Sequence, residues 1–126
     1  MDPRFVTKTL HAYLDYPVAL TLMAAPFVLG LGASNELALW LSVGTGVAAL
    51  LLTFLTDHHL GIFRVLPYGL HVAVDGLVGL TFIASPLACG FAGLDLAYYL
   101  ANGAAVLMVV SLSKPAPKAH EMPAVA

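Results

Sequence analysis

Two pairs of ionisable residues stand out because they repeat: His11 and Asp15, and again His71 and Asp75, each four residues apart. A spacing of four places both members on one face of a helix, close enough for imidazole and carboxylate to bond each other or a common partner. Two histidines and two aspartates converging on one point are a ligand set for a divalent metal. Together they also form a chain of groups able to pass a proton. A haem held between His11 and His71 is a third chemistry for the same residues. The plainer reading is structural: near a membrane surface the carboxylates favour the positive ends of their helices, and the histidines fix register between helices. The pairs are therefore candidates in which a metal is weakly indicated, and no cofactor is expected on sequence grounds.

Other patterns of reaction chemistry are missing. The chain holds no GxSxG, phosphate-binding loop, HExxH or dinucleotide fingerprint, so it reads as a non-enzyme. Its single cysteine, Cys89, has no partner for an internal disulfide and reads as a packing residue. His58 and His59, beside Asp57, fall between apolar segments and read as a solvated loop.

The elements that must position these residues follow from hydropathy. Of 126 residues, 60% are apolar and 10% charged, with a mean hydropathy of +0.92. So few charges cannot cover a water-soluble surface, whereas a bilayer asks for none. Net charge is −2 and no basic run is present, so nucleic acid is excluded as a partner. About twenty apolar residues span the hydrocarbon core. Four such runs occur, approximately Leu10 to Leu31, Leu37 to Leu55, Leu70 to Phe91 and Leu94 to Leu112.

Sliding the sequence against itself by sixty positions superposes Leu10-His11 on Leu70-His71, Asp15 on Asp75, Thr21 on Thr81, Pro26 on Pro86 and Gly30 on Gly90. Apolar composition repeats Leu and Ala by chance, but it does not place His, Asp, Thr and Pro in one shared register. In the later helices a shift of fifty-nine pairs Ala38 with Ala97 and Gly44 with Gly103, which implies a second turn shorter by one residue. The expected fold is an all-α membrane four-helix bundle of two tandem two-helix repeats, at 1–60 and 61–113, followed by a mobile cytoplasmic tail at 114–126. A two-helix unit crosses the membrane an even number of times, so the repeats are parallel and corresponding residues share a depth. Arg4, Lys8, Arg64, Lys114 and Lys118 all fall on one side of such a bundle. The excess of basic residues on cytoplasmic loops then puts both termini and the middle connection in the cytoplasm.

Pro26 and Pro86 remove a backbone donor late in the first and third helices and predict a kink or an early end. Ala38, Ser42 and Gly46, and Ala97, Ala101 and Ala105, form small-residue ladders that allow close helix packing, within the chain or against another subunit. Trp40, Tyr98 and Tyr99 at one end, with Tyr13, Tyr16 and Tyr68 at the other, read as interfacial aromatic belts.

The segments Asp15 to Gly30 (DYPVALTLMAAPFVLG) and Asp75 to Gly90 (DGLVGLTFIASPLACG) resemble the SPW-repeat family of small bacterial membrane proteins. Its Ser-Pro-Trp motif corresponds here to Ala25-Pro26-Phe27 and Ser85-Pro86-Leu87, with both tryptophans and one serine replaced. The resemblance implies four membrane helices in the inner membrane and transfers no catalytic residue. The function expected is that of a structural or accessory subunit, in a homo-oligomer or a larger membrane complex. A metal-, haem- or proton-handling protein is the alternative, and a small oligomeric transporter or channel the third reading.

Overall fold

The computed structural model describes residues 2–115. The expected tail therefore lies almost wholly outside the described residues. Four helices follow in order, α1 (Lys8–Leu29), α2 (Leu37–Leu55), α3 (Tyr68–Cys89) and α4 (Gly93–Leu112). Each is long and apolar enough to cross a membrane, and the bounds agree with the hydropathy runs to within two residues.

Helix α1 packs on α2, and α3 on α4, so each sequence repeat is a helical hairpin. The two hairpins are related residue by residue. Gly46 of α2 lies so close to α1 that an added Cβ would meet Met23 Cγ at 2.6 Å and the Ala19 carbonyl at 2.8 Å. Gly103 of α4 lies equally close to α3, against Ile83 Cδ1 at 2.8 Å and the Gly79 carbonyl at 3.0 Å. The contacts on the first helices differ by sixty (19 against 79, 23 against 83), whereas the glycines differ by fifty-seven (46 against 103). The later helices therefore correspond by fifty-seven rather than fifty-nine, and the second turn is shorter by three residues. Backbone bridges obey the same rule: Val6 pairs with Ser113, and Leu66 with Thr56.

This register separates the two small-residue ladders. Ala38, Ser42 and Gly46 are buried along α2. On α4 the buried counterparts are Asp95, Tyr99 and Gly103, while Ala97, Ala101 and Ala105 are exposed. That ladder is not a packing seam within the chain. Asn102 donates to the Tyr98 carbonyl of its own helix at 2.8 Å.

Pro26 and Pro86 lie in the final turn of α1 and α3, so their effect falls on helix termination rather than on a kink in mid-span. Each helix ends at a glycine with φ of +68°, Gly30 or Gly90, a conformation that costs a Cβ-bearing residue energy. The residue after that glycine donates back to the proline carbonyl, Leu31 to Pro26 at 2.9 Å and Phe91 to Pro86 at 3.1 Å. Pro26 has no N–H to offer the Leu22 carbonyl. Ser42 Oγ on α2 donates to that carbonyl instead, at 2.9 Å. Thr21 and Thr81 donate to the Pro17 and Leu77 carbonyls of their own helices. Ser42→Ala should orphan a buried carbonyl and lower stability by about 1–3 kcal/mol, read as an earlier unfolding midpoint in detergent.

At the end bearing the two short turns, the hairpins are joined by polar contacts. Asp95 accepts from the backbone N–H of Gly32 at 2.8 Å and of Ser34 at 3.0 Å, and from Ser34 Oγ at 2.5 Å. Tyr99 Oη donates to the Ala38 carbonyl at 2.6 Å. Tyr98 Oη lies 2.7 Å from Ser42 Oγ, and since the Ser42 proton is given to Leu22, the tyrosine is the donor. Phe82 stacks on Tyr99 with centroids 4.5 Å apart. Tyr98 and Tyr99, like Tyr68 at the other end, are thus core residues rather than members of an aromatic belt. Trp40 and Tyr13 remain exposed as a belt requires.

Candidate functional site

The opposite end, where α1 and α3 begin and α2 and α4 finish, brings all four repeat-related residues together. His11 Nε2 lies 3.2 Å from Asp15 Oδ1 and 2.8 Å from Asp75 Oδ2. His71 Nε2 lies 3.1 Å from Asp15 Oδ2 and 3.2 Å from Asp75 Oδ2. The result is a closed alternating ring, histidine, aspartate, histidine, aspartate, in which every histidine bridges to its own repeat and to the other. Both imidazoles are about 1% exposed. The geometry follows from the repeat: equal depth in parallel hairpins, and four-residue spacing that points each pair at the axis between them.

Hydroxyls at the ends of the second helices hold the imidazoles. His11 Nδ1 lies 2.9 Å from Ser113 Oγ, and His71 Nδ1 2.6 Å from Thr56 Oγ1. Each hydroxyl gives its own proton to a carbonyl four residues back, Ser113 to Val109 and Thr56 to Leu52, both at 2.6 Å. A hydroxyl so occupied can only accept from the ring, so Nδ1 carries a hydrogen in both histidines and Nε2 is the atom turned to the carboxylates. Ser113 and Thr56 correspond under the fifty-seven-residue shift, a relation that the fifty-nine-residue alignment hides.

The connection between α2 and α3 adds a residue that sequence reading left in solvent. His58 is 2% exposed, while His59 is on the surface. The loop folds back on α2: Ile62 and Phe63 N–H groups donate to the Phe54 carbonyl, and those of Val65 and Leu66 to the Leu55 carbonyl. Gly61 packs against the Thr56 carbonyl so tightly that any side chain would overlap it. Arg64, at a φ of +50°, ties the turn by donating to the Gly61 and His59 carbonyls. Tyr16 Oη anchors the loop to α1 through the Leu60 carbonyl at 2.6 Å. His58 Nε2 then stands 3.9 Å from Asp15 Oδ2. Burial pushes its imidazole below the ordinary histidine range, the nearby Asp15 carboxylate working in the opposite direction. Nothing in the local sequence marks His58 as inward-facing, because the bonds that hold its loop end on backbone carbonyls, which every residue type offers.

The ring of four also closes one end of a cavity of about 240 Å³ between the hairpins. Leu14, Val18, Val74 and Val78 are among its walls, and Thr45 and Asn102 are polar groups deeper in. A haem between His11 and His71 does not fit, since both carboxylates already stand within 3.2 Å of each Nε2 and leave no gap for a macrocycle.

Comparison with curated proteins and with solved structures gives no match. The family comparison does match, over residues 9–116, a range that takes in both hairpins and all four members of the ring. The chain therefore belongs to the SPW repeat domain family, as a four-helix membrane protein made of two copies of its helical hairpin.

Proposed function

We propose that this is a non-enzymatic accessory or structural subunit of the bacterial inner membrane, associating through the outer face of α4 with a second copy or a larger membrane protein. The observation that carries the reading is that Ala97, Ala101 and Ala104 present a low, exposed surface with no covering helix among the described residues. Lipid offers apolar side chains no driving force to associate, so smooth small-residue faces that admit close backbone approach are where membrane helices meet. Support for a non-enzyme comes from the interior hydroxyls: Ser42, Thr53, Thr56, Ser85 and Ser113 each donate to a backbone carbonyl. None is poised as a nucleophile. A transport path is disfavoured by the stacked Phe82 and Tyr99, which plug the short-turn end of the bundle. Arg4, Lys8, Arg64 and Lys114 gather at the ring end, which we assign to the cytoplasm together with both termini.

In mild detergent the protein is expected to run as a homo-oligomer or with a co-purifying membrane partner. An Ala97→Leu/Ala101→Leu variant should weaken that association roughly tenfold, about 1.4 kcal/mol, without altering helix content. A wild-type protein that stays monomeric and free of partners at all concentrations overturns the proposal.

A further inference from the structure

Three observations suit the ring of His11, Asp15, His71 and Asp75 to a metal ion as well as to an ion-pair knot. The first is that its donor atoms are already gathered: one from each residue, all within 4.8 Å of one another. Bonds of about 2.0–2.1 Å to a tetrahedral zinc ion put neighbouring ligand atoms about 3.3 Å apart. The histidine–aspartate separations here are 2.8 to 3.2 Å, so a small outward movement of each side chain admits an ion.

The second feature is the outer hydrogen bonding. Histidines that hold a metal through one ring nitrogen nearly always donate from the other, which fixes tautomer and orientation. Both histidines here do so through Nδ1, to Ser113 and to Thr56, and both hydroxyls are themselves locked by backbone carbonyls. A cation that binds here displaces the proton each Nε2 shares with the carboxylates and releases it to solvent; the two neutral imidazoles and two carboxylates that remain carry two negative charges, which a divalent ion cancels without leaving net charge in a buried place.

The third observation is independent of the ring. His58 has a fully buried side chain, and neither of its ring nitrogens has a hydrogen-bond partner among the described residues. Asp15 Oδ2, the atom it approaches, also lacks a satisfied hydrogen bond despite His71 Nε2 at 3.1 Å. Buried polar atoms are costly to leave unpaired, and two of these, His58 Nε2 and Asp15 Oδ2, stand 3.9 Å apart.

We propose that His11, Asp15, His71 and Asp75 bind one divalent transition-metal cation of the zinc class between the two hairpins, with His58 placed to become a fifth ligand. Imidazole donors favour such ions over magnesium or calcium, and carboxylates complete the set. The site is shared equally by the repeats, so the ion clamps together the end of the bundle at which the ring closes the central cavity.

The test uses full-length protein without a polyhistidine tag, stripped with chelator in detergent, equilibrated with Zn²⁺ or Co²⁺ and freed of unbound ion. About one ion per chain is expected, with visible Co²⁺ absorption of a low-coordinate imidazole–carboxylate site and a raised unfolding temperature. A His11→Gln/His71→Gln variant should lose the bound ion. Should that variant fail to fold, Ser113→Ala and Thr56→Ala leave every ligand in place and should weaken binding by about 10–100-fold, and His58→Ala should change the Co²⁺ spectrum. Wild-type protein that retains no ion, or ion retained unchanged in these variants, overturns the site. Oligomer mass is read separately, so failure here leaves the accessory-subunit reading standing, and the converse.

Discussion

Asp95→Ala is expected to lower stability by roughly 2–4 kcal/mol, because it strips the acceptor from two half-buried backbone N–H groups and from the Ser34 hydroxyl at once. Orphaned buried donors cost about 1–3 kcal/mol each, and the carboxylate is itself only 2% exposed. The groups it holds, Gly32 and Ser34, are in the turn of the other hairpin, so the loss falls on the joint between repeats and not on α4 alone. Asp95→Asn separates charge from shape. The amide retains one acceptor but turns an NH2 toward donors that already point inward, so it should recover less than half of the loss. Chemical or thermal unfolding in detergent reads both. A fall below about 1 kcal/mol for the alanine variant would mean that water replaces the carboxylate and that the short-turn end is not a dry joint.

The effect of Asp95 was not legible in sequence, and the reason is instructive for lipid-embedded chains. In water, burial leaves a period of 3.6 residues in the hydropathy; in lipid both faces of a helix are apolar and that signal vanishes. Span positions and the His, Asp and Pro repeat survived, since neither depends on knowing which face is inside. Convergence of His11, Asp15, His71 and Asp75 was visible as a possibility because equal depth follows from parallel repeats. The inner face of α4 was not. Ala97, Ala101 and Ala105 imitate the spacing of Ala38, Ser42 and Gly46 by chance of composition, whereas of the true counterparts only Gly103 matches its partner, and Asp95 and Tyr99 share little side-chain chemistry with Ala38 and Ser42. Tyr98 and Tyr99 looked interfacial because tyrosine is common there, and only their bonds to Ser42 and Ala38 place them in the core. His58 escaped for another reason: its burial depends on backbone bonds that no side chain announces.

The two ends of the bundle divide the labour. At the short-turn end the joint is made of neutral hydroxyls, one carboxylate and stacked rings, all satisfied by fixed partners. At the other end the joint is an ionisable ring with unsatisfied neighbours, next to a cavity. The two joints therefore differ in kind: protonation changes the charge of one, and the other holds its bonds through fixed partners.

The register that links these ends makes a sharp comparison between two glycines of one helix. Gly46→Ala should destabilise the bundle by about 1–3 kcal/mol, the cost of overpacking. Its new methyl would stand 2.8 Å from the Ala19 carbonyl and 2.9 Å from the Met23 nitrogen, and backbone cannot swing aside as the Met23 side chain can. Gly44→Ala, two residues earlier, meets nothing within 4 Å. It should be neutral or stabilising by up to about 1 kcal/mol through helix propensity. Gly103→Ala, against Ile83 and the Gly79 carbonyl, should behave as Gly46→Ala does. If Gly44 proved the sensitive position and Gly46 the tolerant one, α2 would be rotated from the face described, and the correspondence of Thr56 with Ser113 that orients both histidines would fall with it.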